Sequence, residues 1–310
     1  MPNSTGWRRQ HNLSINYETE HLGATLFQLG AVAAAHTHFA QGIALYDPQQ
    51  HRASVFLHGQ DAGVLCRSYA AAALWYLGYP DQAWARIQEA VTLAQQLAHP
   101  FSLNFALGEA AMFHQCRREG KATQECAEAS IVLATAQGFL HWKARGAVLR
   151  GWALAYQGQV QDGIEQITQG LRDYRATGAQ LALPHYLALL AEAYGTMGQP
   201  DTGLTVLTEA LTLVDTTRER WYEAELYRLK GALLLQQSLD NQVEADNCFQ
   251  QAIAIAQNQQ AKSWELRAAI RDSLKLNRPS SMGYSRQSHA GGTCMAVSYT
   301  HLTLPTIYSV

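Results

Sequence analysis

Charge of one sign, paired cysteines and long apolar runs are all scarce in this sequence, and each scarcity removes a class of function. The 23 basic and 25 acidic residues leave a formal net charge of -2, so no strong field draws in nucleic acid or an anionic membrane. Five cysteines, at positions 66, 116, 126, 248 and 294, form no CxxC pair and no zinc-like cluster. An odd, scattered set fits a reducing compartment, where a buried thiol behaves as a small hydrophobe. The longest strongly apolar stretch, Tyr69 to Leu77, is far too short to cross a bilayer as a helix. Polar residues predominate in the first twenty positions, unlike a secretory signal. A cytoplasmic location is expected.

Hydrophobic residues, by contrast, make up 47% of the 310 positions, ample for a packed interior in one large domain or two ordinary ones. Their arrangement is periodic. Gly23, Ala71, Ala111, Gly151, Ala191 and Gly231 are separated by 48, 40, 40, 40 and 40 residues. A second series, Gly30, Gly78, Arg118, Gly158 and Gly198, follows the first by seven residues. A third, Ala35, Ala83, Thr123, Gly163 and Gly203, lies five further on. Three series in phase at one spacing mark a repeat protein.

Each unit predicts two helices. Leu187, Leu190, Ala191 and Tyr194 follow a helical spacing. Gly198 breaks that helix, Pro200 fits the first turn of the next, and Asp201 suits its positive end. Gly203, Leu207 and Ala210 then share one face. Small residues at fixed places let paired helices approach, and stacked units complete the core. The link Asp47 to Arg52 accounts for the eight extra residues after unit one, and an insertion near Ser238 to Gln242 lengthens the last unit by two. A final helix from about Ala261 to Leu276, with one apolar and one wet face, is expected to cap the stack through Trp264 while Glu265 and Arg267 need no ligand.

The small residues at Gly151, Gly163 and Ala210, with Leu154 and Tyr194, resemble the tetratricopeptide pattern, here written at forty residues rather than about 34. The segments ALYDPQQHR, LGYPDQAWARIQEA, LAHPFSL, EAELYRLKGALLL and KSWELRAA resemble the helical C-terminal region of bacterial multidomain signalling ATPases. Many of those carry adenylate or guanylate cyclase-like labels, and the region is similar to the MalT-type regulatory array. The resemblance implies an all-α, right-handed superhelical solenoid over residues 13–276, after a poorly defined start at 1–12. It also implies a nucleotide-binding module upstream, so the chain reads as a fragment of a larger protein. From Asn277 the periodicity stops. The tail 277–310 is expected to be disordered, and its final SYTHLTLPTIYSV resembles translated sequencing-adapter read-through.

Little in the sequence suggests chemistry. RREGKAT at 117–123 has a Gly-Lys pair, but a phosphate loop needs a Gly-rich approach from a strand. His36 and His38 are two residues apart and do not share a helical face. Cys116 and Cys126 fall on different helices and lack a nearby base. No catalytic residue, metal ligand or cofactor is assigned. The run TTRERWYEAELYRLKG places Glu223 and Glu225 beside Arg218, Arg220 and Arg228. It reads either as a ligand-facing charge network or, more commonly for such runs, as a solvated helix face.

In a tetratricopeptide-like array the first helix of each unit lines the concave surface. Positions around the small-residue register then nominate Trp75, Glu109, Gln115, Arg145, Trp152, His185, Glu192 and Arg228 as an exposed wall that clamps a protein or peptide. The alternative places Trp75 and Trp152 in the core between units. The sequence therefore predicts a non-catalytic protein-interaction or regulatory scaffold, the helical arm of a signalling ATPase or cyclase-like protein. The competing expectation is a small-molecule sensor, which a closed polar pocket beneath the groove would favour.

Overall fold

The computed structural model describes residues 18–276 apart from 52–54 and 56–58. The expected start at 1–12 and tail at 277–310 lie outside the described residues. Helical residues 18–28 (α1) precede α2 (Val32–Leu45), a single turn at Pro48–His51, α3 (Ala62–Tyr76), α4 (Pro80–Leu97), α5 (Pro100–Cys116) and α6 (Gly120–Gln137). Then come α7 (Leu140–Tyr156), α8 (Val160–Ala176), α9 (Leu183–Thr196), α10 (Pro200–Thr217), α11 (Glu223–Gln237), α12 (Gln242–Asn258) and α13 (Lys262–Leu276). Among the described residues there is no strand. The fold is an all-α, tetratricopeptide-like array of helical hairpins, from α1/α2 to α11/α12, closed by α13.

The two helices of a hairpin are built differently. α8 buries one stripe, Gly163, Ile164, Ile167, Gly170, Leu171 and Tyr174, and wets the opposite face. Its partner α7 is buried nearly all round, because it also packs on α5 and α9. The odd-numbered helices form the inner row and the even-numbered ones the outer row.

Backbone chemistry sets the turns. Gly30, Gly78, Arg118, Gly158 and Gly198 all have positive φ, between 64° and 97°, so the second register series marks left-handed C-caps that end each inner helix. Pro80, Pro100, Pro184 and Pro200 sit in the first turns of their helices, where a missing N–H costs nothing. A matching left-handed series ends the outer helices at Ala98, Gly138, Gly178, Arg218 and Gln260. The first and third series meet inside each hairpin. A Cβ added to Gly151 would come within 2.8 Å of the Gly163 carbonyl oxygen, and one on Gly163 within 2.6 Å of the Gly151 oxygen. Here the helices touch backbone to backbone.

The array bends until its ends meet. The Arg220 N–H donates to the Gln28 carbonyl at 2.7 Å, and the Gln259 amide donates to the Arg220 carbonyl at 2.8 Å. An aromatic seam runs along the joint, with Phe27 on Trp221 at 5.8 Å and Tyr76 on Trp264 at 5.3 Å between ring centroids. Burying each of these rings is worth roughly 2–3 kcal/mol. Hydrophobic closure, not an open groove, dominates the inside of the ring.

Candidate functional site

The inner row delivers all eight nominated residues to the interior, but not as an exposed wall. Seven of them are more than nine-tenths buried, and Glu192 is partly buried. The exposure expected from the sequence is corrected by α13, whose Trp264 and Arg267 occupy the concave side. Trp75 lies edge-on to Trp264 at 4.9 Å, with Arg267 over both indoles at 5.6 and 4.8 Å. The structure places Trp75 and Trp152 within the core that joins the units.

The nominated residues fall into two groups. The first is a central charge lattice. Trp152 Nε1 donates to Glu192 at 2.9 Å, and Arg118 pairs with Glu192 and reaches Glu225 at 3.5 Å. Glu225 takes two bonds from Arg228, at 2.8 and 2.9 Å, and a third from Arg267 at 3.1 Å. Burial raises the proton affinity of both carboxyls, but Arg228, Arg267 and Arg118 outweigh it and hold Glu225 down to about 2. Arg118 and the Trp152 N–H likewise hold Glu192 below its usual range. All four carboxylate oxygens of this lattice have partners. The solvated helix face expected for Glu223 and Glu225 is therefore overturned: Glu223, Glu225 and Arg228 are buried because α11 belongs to the inner row.

His185 sits beside the lattice, its Nε2–H donating to Gln115 Oε1 at 3.1 Å because an amide oxygen only accepts. Burial, with Arg145 nearby, lowers its imidazole to about 3, so it is neutral at ordinary pH. The pairs Gln115–His185 and Trp152–Glu192 each join residues from different repeats.

The second group lines a cavity of about 280 Å³. Arg145 Nη2 donates to Glu109 Oε1 at 2.7 Å, and its guanidinium lies 5.1 Å from the Trp142 ring. Sequence reasoning missed the other polar walls, Glu20 and Gln28 of α1 and His141 of α7. Glu20 stands three residues before Gly23, the register position that Arg228 holds before Gly231, and that equivalence was the available signal. Phe27, Tyr69, Phe105, Tyr174, Tyr186 and Trp221 supply aromatic surface.

This compartment, unlike the lattice, is electrostatically incomplete. Glu20 Oε2, Gln28 Oε1, Glu109 Oε2 and Arg145 Nε are buried without hydrogen-bond partners. Burial pushes the Glu20 carboxyl up to about 7, against the smaller lowering effects of His21 and of the 3.4 Å bond from Gln60. Burial and Arg145 lower His141 to about 4. A buried polar atom without a partner costs roughly 1–3 kcal/mol, and four around one cavity single it out as the candidate site.

Gly120 and Lys121 open α6 after a turn rather than after a strand. Among the described residues no group of three or more His, Cys, Asp and Glu is placed to hold a metal ion, His36 and His38 included. No described helix is long and apolar enough to cross a membrane.

No family model matches the chain. An uncharacterized protein of Rhizobium meliloti (strain 1021) is 25% identical over 208 residues, which is 67% of this chain and 20% of the relative. The chain thus spans about a fifth of that relative's length. Among solved structures, a Rap protein complexed with competence and sporulation factor superposes with a TM-score of 0.60 and 14% identity, over 80% of this chain and 66% of the other. The apo form of RapI gives 0.53 and 11% identity, over 84% and 98%. These likenesses bear on the fold alone, an all-α array of helical hairpins.

Proposed function

We propose that the chain is a non-catalytic regulatory scaffold, the helical arm of a larger signalling protein that carries a nucleotide-binding module upstream. Its partner is a protein or peptide that takes the place α13 holds on the inner helices. The observation that carries this reading is α13 itself. The inner face already grips a helix through Trp75, the Cys116 carbonyl and Glu225, the mode by which a groove takes a helical partner. The Rap structure complexed with a factor supports it as a fold-level parallel only. Cross-linking mass spectrometry on the chain purified with its bound proteins tests the reading. Cross-links from one stoichiometric partner to α3, α5, α7 and α9 support it; cross-links confined to the outer row overturn it.

A second reading, the small-molecule sensor, is favoured by a specific observation. The cavity is lined by aromatic rings and carries partnerless polar atoms on the inner row, which is the composition of a ligand site. A thermal-shift screen of metabolites tests it. A saturable rise in melting temperature lost on changing Glu20 supports a sensor. No shift with any cationic, neutral or anionic metabolite removes it.

A further inference from the structure

We propose that the cavity takes a small organic cation, an amine- or guanidinium-bearing metabolite, a ligand class that rests on the sensor reading above. Size gives the first constraint. At about 280 Å³ the cavity lies just below the usual range of ligand pockets, roughly 300 to 1,000 Å³. It fits a metabolite rather than a length of peptide.

Charge gives the second. Arg145 is already paired with Glu109 at 2.7 Å, which leaves Glu20 uncompensated and the cavity negative by one whenever the Glu20 carboxyl is ionised. An anion would meet two carboxylates and a guanidinium that is already engaged. A neutral sugar would leave that charge unanswered.

Hydrogen bonding gives the third. Of the four partnerless atoms, Glu20 Oε2, Glu109 Oε2 and Gln28 Oε1 are acceptors and Arg145 Nε alone is a donor. Both carboxylates are more than nine-tenths buried, so bulk water does not satisfy them. The missing partner is a molecule that donates several N–H groups and carries positive charge. The walls agree, because Phe27, Tyr69, Tyr174 and Trp221 offer ring faces and edges around the same space, and a desolvated cation over an aromatic face is worth about 2 kcal/mol.

Binding is coupled to a proton. Glu20 feels His21 on its own helix, and Asp61, Cys66 and Tyr69 on and before α3, with Glu109, Arg145 and His141 lining the same cavity. With its carboxyl pushed up to about 7 by burial, Glu20 is largely protonated at pH 6. A cation requires the carboxylate, so its entry expels that proton and affinity rises as pH goes from 6 to 7.

Isothermal titration calorimetry on the full chain with agmatine and tyramine, against glucose and citrate, tests the proposal. The expected result is saturable binding of at least one amine, with proton release at pH 6 read from buffers of different ionisation enthalpy. Glu20→Gln should weaken it roughly ten- to a hundredfold, the loss of one charge-assisted hydrogen bond, and abolish the proton release, while its circular dichroism stays native. Gln157→Ala, on the exposed rim between α7 and α8, serves as the control and should bind as the wild type does. Binding of glucose or citrate without either amine would overturn the cation while leaving a sensor. Amine binding that Glu20→Gln does not change would place the ligand elsewhere and also overturn it. The absence of any binding would sink the sensor reading along with it.

Discussion

Arg267 and Cys116 are 151 residues apart, yet the Arg267 guanidinium donates to the Cys116 carbonyl at 2.6 Å. The same guanidinium reaches Glu225 at 3.1 Å and lies over Trp75 and Trp264. A single side chain therefore binds the last helix to the second, third and sixth hairpins. Ser263, which donates to the Trp75 carbonyl across 188 residues, makes a parallel tie.

Replacing Arg267 by Ala should loosen this closure without melting the hairpins. Hydrogen bonds to charged groups are worth roughly 1.5–3 kcal/mol, and Glu225 keeps its bonds from Arg228. A loss of about 2 kcal/mol is expected. Hydrogen exchange should speed up together in α13 and at the C-terminal end of α3, with α7 and α8 unchanged. Exchange that rises in α13 alone would mean that the ends touch without energetic coupling.

Close approach inside a hairpin predicts a contrast between two glycines. Gly163→Ala drives a Cβ to 2.6 Å from the Gly151 carbonyl oxygen and 2.7 Å from the Ala155 nitrogen. Backbone cannot yield cheaply, so the overpacking cost of about 1–3 kcal/mol should exceed the helix-propensity gain of roughly 0.5–1 kcal/mol. Gly158→Ala meets nothing within 4 Å but sits at φ +97°, so it should cost about 1–2 kcal/mol from backbone strain alone. Urea unfolding should leave the m-value of both variants unchanged and lower the midpoint of both. A neutral Gly163→Ala would contradict backbone-to-backbone packing.

Two carboxyls should tilt the pH dependence of stability in opposite senses. Glu225 is held down to about 2 from 4.5, so its contribution is full above pH 4.5 and is lost as pH falls toward 2. Glu20 is pushed up from 4.5 to about 7. Its contribution is full below pH 4.5 and is lost as pH rises through 7, a change of roughly 3 kcal/mol. Melting curves of Glu20→Gln and Glu225→Gln against the wild type should diverge in separate windows, the first between about pH 4.5 and 7 and the second below 4.5. Above pH 7 Glu20→Gln should be the more stable protein. Coincident windows would show that the two groups share one environment.

The sequence carried the fold because its period is written in backbone chemistry. Gly198, Pro200 and Asp201 state a helix stop, a start and a dipole partner, and the structure puts each in that role. It carried the site less fully. Residues one period apart, such as Trp152 and Glu192, could be assigned to one inner row, and they are bonded there. The burial of Trp152 was one of two readings open to the sequence, which could not decide between them, because closure depends on how far each hairpin rotates on the last, and no residue spacing records that. Arg118 shows the same limit. It reads as a lapse in a glycine series, yet it holds the left-handed cap at φ 64° and still pairs with Glu192 and Glu225. A position that costs strain is kept by a charge that the sequence places 74 residues away.

That distinction supplies a stabilising design. Ala98, Arg218 and Gln260 end the outer helices in the left-handed region at φ 50°, 63° and 56°, where an L side chain costs roughly 1–2 kcal/mol and glycine does not. Gly138 and Gly178 already hold the equivalent places. Glycine also gains freedom in the unfolded chain, which offsets about half of the benefit. Ala98→Gly, Arg218→Gly and Gln260→Gly should therefore each add roughly 0.5–1 kcal/mol, and the sites are in different hairpins, so the triple variant should approach the sum. Arg118→Gly makes the opposite test. It relieves the same strain but leaves partly buried Glu192 without its guanidinium partner, and losing a hydrogen bond to a charged group costs about 1.5–3 kcal/mol. Denaturant midpoints should rise for the triple variant and fall for Arg118→Gly; a rise in both would show that the lattice of Glu192 and Glu225 contributes nothing to holding the ring closed.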